Sequence, residues 1–340
     1  RMAGRNGLPK LPEPTKYSTW TKMHLCFYMS LLVLGALAAV CLKFYMATQV
    51  PPLFMQLPRL EIAHRGYSHG APENTVAAFK TALERQVVSV EIDLMLSKDG
   101  VVVVAHDYNL ETFTDSSGSI NEKTWEELKN VRVTRGGKMT SEFVKPGVDD
   151  KLARFEDILD AAHRGQIQLV IELKSVPNKS LLIKRVAELL IEFDYVENTL
   201  ITSFFPGILI EFHRLCPDAY TLLLYSSKGF QTFCRVSSPA EVRSGFFWAT
   251  ACTYAETFDW LASYLVEPIA KISGAGAVGL NIDNPDLHAL ASRSLGWGLK
   301  IIVWTVNSLA QREFVASIPG NGHGIIGIMS DCPHSYCPAE

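Results

Sequence analysis

The sequence predicts an α/β fold, a (β/α)8 TIM barrel preceded by a single N-terminal transmembrane helix, on three observations. After the Pro51-Pro52 break, short apolar, β-branched runs alternate with segments of helical period, the pattern of repeated βα units. Eight such runs can be read, the number that closes a barrel. Ahead of them, Leu25 to Leu42 is eighteen residues long and interrupted only by Ser30, just enough to cross a bilayer. The expected division is therefore a basic tail at 1–22, a signal anchor at 23–47 and a barrel domain at 48–340.

The strands are expected at Leu60 to His64, Val88 to Leu94 with a return arm from Val101 to His106, Gln168 to Leu173, Thr199 to Ser203, Tyr220 to Leu224, Ala277 to Ile282, Lys300 to Val306, and Ile325 to Ser330. Helices fall between them, at Asn74 to Glu84, Phe155 to Ala162, Leu181 to Phe193, Gly207 to Leu215, Pro285 to Leu295 and Ala310 to Ile318. An open doubly wound sheet is the runner-up, because strand order is not visible in sequence. Lys98-Asp99-Gly100 is a turn signal, so the second strand is expected to make a hairpin before the chain leaves the barrel as a rim insertion over 107–150. A second insert, Ser244 to Ile272, is rich in Phe, Trp and Tyr yet carries Glu256, Asp259 and Glu267, which argues against a second span. An amphipathic barrel helix is the plainer reading of that insert, and an interfacial helix that brings the site to lipid is the sharper one.

Charge is unevenly spread. Residues 1–22 hold five basic residues against Glu13, a local +4, so the total of -3 leaves -7 for the rest. An acidic body without a basic stripe argues against a nucleic-acid partner. The same asymmetry places the N-terminus in the cytosol and the body in a lumenal or extracellular space. In such a compartment some of the five body cysteines should pair, with Cys332 to Cys337 as one candidate. Asn178-Lys179-Ser180 is the body's glycosylation sequon, with Asn178 as acceptor.

Barrels place reactive groups at strand ends, and here successive strand segments end in charged residues that a buried strand would otherwise exclude. His64-Arg65-Gly66 closes the first. Glu91 and Asp93 lie two apart in the second and so share a face, His106-Asp107 closes its return arm, and Glu172 and Lys174 follow the apolar Leu169-Val170-Ile171. Three converging carboxylates would repel one another unless a cation lay among them, and all-oxygen ligation suits one hard divalent ion, Mg2+ or Ca2+. Two histidines beside it supply a proton acceptor and a donor, while Arg65 and Lys174 can neutralise a phosphate. Trp304, at the seventh strand end, could pack in the barrel or stack on a substrate. Asn74 or a neighbour is expected to cap the first helix.

Further strings bear on these residues: Ala71-Pro72-Glu73-Asn74-Thr75, Ala78-Phe79, Glu91-Ile92-Asp93, Asp99-Gly100, Thr124-Trp125-Glu126-Glu127-Leu128, Glu172-Leu173-Lys174, Ser203-Phe204, Trp304-Thr305-Val306-Asn307 and Ser330-Asp331-Cys332-Pro333. In order and spacing, over residues 60–335, the chain resembles the glycerophosphodiester phosphodiesterase family, and within it the membrane-bound animal type. The resemblance implies that His64 and His106 are the acid/base pair, that Glu91, Asp93 and Glu172 are metal ligands, and that Arg65 and Lys174 contact phosphate. It implies hydrolysis of a glycerophosphodiester, of the glycerophosphoinositol kind or a lysophospholipid, to a phosphomonoester and an alcohol. One departure bears on the rim: Thr112 stands where many members carry Arg after His-Asp. The rival readings are a related barrel-fold phospholipase and a catalytically silent membrane adaptor or receptor.

Overall fold

The computed structural model describes residues 60–135, 150–174, 177–229, 255–318 and 324–334. The strands are β1 (Leu60–Ala63), β2 (Ser89–Leu96), β3 (Val102–Val104), β4 (Ala153–Arg154), β5 (Gln168–Leu173), β6 (Thr199–Ser203), β7 (Tyr220–Tyr225), β8 (Ala277–Asn281), β9 (Lys300–Trp304) and β10 (Ile325–Ser330). Eight of them, all but β3 and β4, run parallel, and β1 pairs with both β10 and β2. That double pairing closes the sheet into a barrel and excludes the open doubly wound alternative.

Period-two alternation sorts each strand's side chains between two cores. The barrel lumen is filled by Leu60, Ile62, Val170, Leu200, Tyr220, Leu222, Leu224, Ala277, Ile302, Ile326 and Met329, with Trp304 packed against them. The intervening residues, such as Ala63, Ile171, Ile201, Leu223, Val278 and Val303, join the larger core outside the barrel. Each fully buried aliphatic of this kind is worth about 1.5–3 kcal/mol of transfer free energy. Parity also decides where the charged residues go. Val170 faces the lumen, so Glu172 does too; Glu91 and Asp93 sit opposite Val170 and Glu172 in register and share their face. Ile62 carries the same parity to His64.

The helices between the strands are α1 (Val76–Glu84), α2 (Trp125–Leu128), α3 (Phe155–Gly165), α4 (Lys179–Glu192), α5 (Pro206–Leu215), α6 (Ala255–Ser263), α7 (Val266–Ile272), α8 (Leu287–Gly296) and α9 (Leu309–Ser317). Their apolar stripes bury Phe79 from α1, Phe155 and Leu159 from α3, Leu182 and Val186 from α4, and Phe212 from α5. Expected and observed boundaries differ by at most three residues. At α1 the difference has a clear cause: Thr75 accepts from the Ala78 backbone N–H and caps the helix, while Asn74 is turned to another task described below.

The hairpin forms as expected. β2 outruns the barrel, turns at Ser97 to Gly100, where Gly100 has φ +81°, and returns antiparallel as β3. The excursion that follows carries its own plug of Leu110, Phe113, Ile120, Leu128, Val131 and Val133 into the main core, and β4 closes it against β3. The described part of the aromatic insert, 255–272, is two helices rather than one. Val266, Glu267 and Ala270 of α7 are buried, while Trp260, Leu261, Tyr264 and Leu265 stay exposed.

The expected anchor at 23–47 lies outside the described residues, as do 244–254 and Cys337. Among the described residues no helix is long and apolar enough to cross a membrane. Cys332 is disulfide-bonded, and Cys216 is a buried free thiol whose pKa is pushed up by burial and by Asp218.

Candidate active site

The C-terminal mouth of the barrel gathers seven of the residues expected there. Glu91, Asp93 and Glu172 each bring a carboxylate oxygen within 4.8 Å of the others, with Glu91 and Asp93 almost fully buried. The turn after β1 is shaped around this cluster. Arg65 has φ +54° and Gly66 φ +81°, which aim the Arg65 N–H at Glu91 Oε2, 2.8 Å away, and the Gly66 N–H at the Glu91 carbonyl, 3.0 Å away. Only glycine suits position 66, because a Cβ there would lie 2.6 Å from the Ala78 Cβ as well as in a left-handed conformation. Two non-regular backbone conformations side by side at a site of charge fit the tendency of strain to collect where geometry matters.

Cations already lie among the carboxylates. Lys174 Nζ is 2.9 Å from Asp93 Oδ1 and 2.7 Å from Glu172 Oε1, and Arg65 Nε is 3.7 Å from Asp93 Oδ2. Asn74, freed from helix capping, donates to Asp93 Oδ2 at 2.9 Å and accepts from the Asp93 N–H at 3.2 Å. Burial would raise Asp93, but Lys174, His106 and Arg65 hold its carboxyl far below the ordinary range. Glu91 goes the other way: burial, then the charges of Asp93 and Glu172, push it well above the ordinary range. Lys174 is likewise held charged, since Asp93 and Glu172 overcome the effect of burial. Lys174 thus does part of the neutralising that the sequence alone assigned to an added ion, yet Glu91 remains a buried carboxylate short of positive charge. Three hard oxygen donors, one of them under-neutralised, fit a Mg2+ or Ca2+ ion.

Each histidine is held by an aspartate. His64 Nδ1–H donates to Asp331 Oδ1 at 2.6 Å, and His106 Nδ1–H donates to Asp107 Oδ1 at 2.7 Å. A carboxylate can only accept, so Nδ1 carries the proton and Nε2 is the nitrogen left for chemistry. Asp331 is itself fixed, accepting from Ser68 Oγ at 3.0 Å and from Asn307 Nδ2 at 2.6 Å. Burial would raise it, but His64, Asn307 and Ser68 hold it low. Chain neighbours tie both histidines to the cluster: the Arg65 N–H, next to His64, donates to Glu91, and the Ala105 N–H, next to His106, donates to the Asp93 carbonyl at 2.9 Å.

The family model described as "Glycerophosphoryl diester phosphodiesterase family" matches residues 64–334. The chain belongs to that family. It is accordingly a phosphoric diester hydrolase that cleaves glycerophosphodiesters. Glycerophosphodiester phosphodiesterase 1 of Mus musculus is 24% identical over 277 residues, covering 80% of each chain. A glycerophosphodiester phosphodiesterase of Bacillus altitudinis is 34% identical over 157 residues, 46% of this chain and 62% of its own. A phosphodiesterase of Oleispira antarctica, solved in complex with the product sn-glycerol-3-phosphate, superposes with a TM-score of 0.59 at 22% identity, over 81% of this chain and 94% of that one, and so shares the fold.

Two expected residues of this family member make no hydrogen bond or ion pair with the cluster among the described residues. Trp304 lies in the lumen under the mouth, edge-on to Phe204 at 5.7 Å, and its indole N–H is buried without a hydrogen-bond partner. Asn178 is exposed at the start of α4, with φ +63° and no side-chain cap bond. Sequence reasoning left Asp107, Asp331, Asn307 and Glu73 out of the site. The signal for Asp331 was present, since it follows the last strand by one residue, as His64 follows β1.

Proposed function

We propose that the chain is a divalent-ion-dependent glycerophosphodiester phosphodiesterase whose acid and base are His64 and His106. One observation carries the reading: two aspartate-held histidines share the barrel mouth with a cluster of three carboxylates, two of them buried. Glu91, Asp93 and Glu172 would hold the ion, Mg2+ or Ca2+, and when bound it would stabilise negative charge on the phosphoryl oxygens. Arg65 and Lys174 would share that task through the N–H groups not engaged by their carboxylates.

A glycerophosphodiester bears a hydroxyl next to its phosphate. One histidine Nε2 takes that hydroxyl's proton, the oxygen attacks phosphorus, and the second histidine, as imidazolium, protonates the departing alcohol. The product of this step is a cyclic phosphate. Water then opens the ring with the histidines' roles exchanged, yielding the phosphomonoester and restoring both protonation states. Trp304 is suited to stack on the glycerol unit. Glycerophosphoinositol-like diesters and lysophospholipids are the expected substrates. A substrate whose neighbouring hydroxyl is replaced by hydrogen or a methyl ether tests the route: it should resist cleavage, and cleavage at the parent's rate would favour direct attack by water.

The reading includes topology. The positive flank and the apolar 23–47 segment support a single-pass anchor with its N-terminus in the cytosol and the barrel lumenal or extracellular. Exposed Asn178 would then be glycosylated. An N-glycosidase should increase the mobility of the expressed protein, and the N178Q variant should run at the shifted position with normal turnover. Absence of a shift, together with protease access to the barrel from the cytosolic side, would contradict the orientation.

A further inference from the structure

Arg135 stands outside every residue so far given a role, yet its guanidinium connects both halves of the mouth. Nη1 donates to Asp107 Oδ2 at 2.5 Å, and Nη2 donates to Glu73 Oε1. Asp107 holds His106 through its other oxygen, Oδ1. Glu73, itself buried, accepts from Arg65 Nη1 at 3.1 and 3.0 Å. So one planar fork touches the carboxylate that orients a histidine and the carboxylate that holds the phosphate-facing arginine.

The fork is held in place from behind. The Arg135 carbonyl accepts from the Glu73 N–H at 3.0 Å, its N–H donates to the Phe113 carbonyl at 3.2 Å, and its guanidinium lies 5.6 Å from the Phe113 ring centroid. Phe113 is buried in the plug of the rim excursion, so the position of Arg135 is tied to the packing of that excursion.

We infer that Arg135 is a positioning residue for the reaction, setting His106 through Asp107 and Arg65 through Glu73. The inference rests on the proposed roles of His106 and Arg65. Asp107 is adjacent to His106 in sequence and one-third exposed, so with a single contact it could turn about its own χ angles and let the ring follow. Thr112 Oγ1 adds a contact to Oδ2 at 3.2 Å but donates better to the Asn109 carbonyl at 2.7 Å, which leaves Arg135 as the strong second anchor. Lysine could not replace it, because a point charge on a flexible stem cannot hold two carboxylates in a fixed geometry.

The test uses the full chain, with R135Q, R135K, D107N, H106A and the D107N/R135Q double variant assayed for kcat and KM on a glycerophosphodiester. Misplacement of a reacting group by about 1 Å can cost up to about a hundredfold, so kcat of R135Q should fall by about tenfold or more. R135K should recover little of the loss, and both should melt close to the parent, because the excursion keeps its apolar plug. In the cycle, the loss in D107N/R135Q should be well short of the product of the single losses, since Arg135 acts partly through Asp107. The inference is overturned if kcat of R135Q stays within about twofold of the parent, if lysine restores it fully, or if the two losses multiply. Those results with an inactive H106A would remove Arg135 alone; an H106A variant of normal turnover would remove the histidine reading and this inference with it.

Discussion

Replacing His64 or His106 by alanine should lower turnover by about a hundredfold or more, the usual contribution of a positioned acid or base. Both rings act in the proposed cycle, each as acid in one step and base in the other, so neither variant should retain half of the parent's rate. The double variant should lose far less than the product of the two, because residues acting as a unit are not additive. The aspartates sharpen the comparison. D331N keeps a side-chain oxygen near His64 but gives up the charge that accepts from Nδ1–H, Ser68 and Asn307, so it should fall between the parent and H64A. Steady-state kinetics on purified variants would check both, and an H64A variant with the parent's kcat would remove His64 from the mechanism.

Substituting the carboxylates should abolish turnover, but with different consequences for the fold. Asp93 accepts from Lys174 and Asn74 and lies beside Arg65, all in a buried setting. D93A strands those cations, and breaking a buried pair from one side costs about 3–5 kcal/mol. Glu91 is the reverse case, a buried carboxyl pushed up by its acidic neighbours. E91Q keeps an oxygen for the Arg65 N–H and removes a destabilising charge, so the protein should be inactive yet no less stable than the parent in the absence of divalent ions. Denaturant unfolding of the two variants in chelator separates them. Equal destabilisation by E91Q and D93A would mean that the charge balance described for the cluster is wrong.

The barrel was legible in the sequence because its signal is repeated. The barrel strands announce themselves as short apolar runs, and the polar residues that break the rule, Glu91, Asp93 and Glu172, do so at lumen-facing positions. Spacing by two was enough to put Glu91 with Asp93 and Glu172 with Lys174 on common faces. What spacing does not carry is the choice of partner across the fold. Asn74 reads as a helix cap because its type and place suit one, and only the closing of β1 against β2 brings Asp93 close enough to claim it, leaving Thr75 to cap. Arg135 lies 28 residues from Asp107 and 62 from Glu73, in an excursion with no periodic pattern, so its fork could not be read from local sequence. The described part of the aromatic insert divides at Tyr264 and Leu265 into two short helices, a break that composition does not mark, with Glu267 buried against Arg293 and Ser294 of α8.

Divalent-ion dependence is tested most directly by turnover with and without the ions. The full chain in detergent would be freed of metal by exhaustive chelation, assayed for phosphomonoester release from a glycerophosphodiester, and assayed again after addition of Mg2+ or Ca2+. Turnover should be lost on chelation and return with one of the two ions, in step with the requirement for Glu91, Asp93 and Glu172. Undiminished turnover after chelation would contradict that dependence.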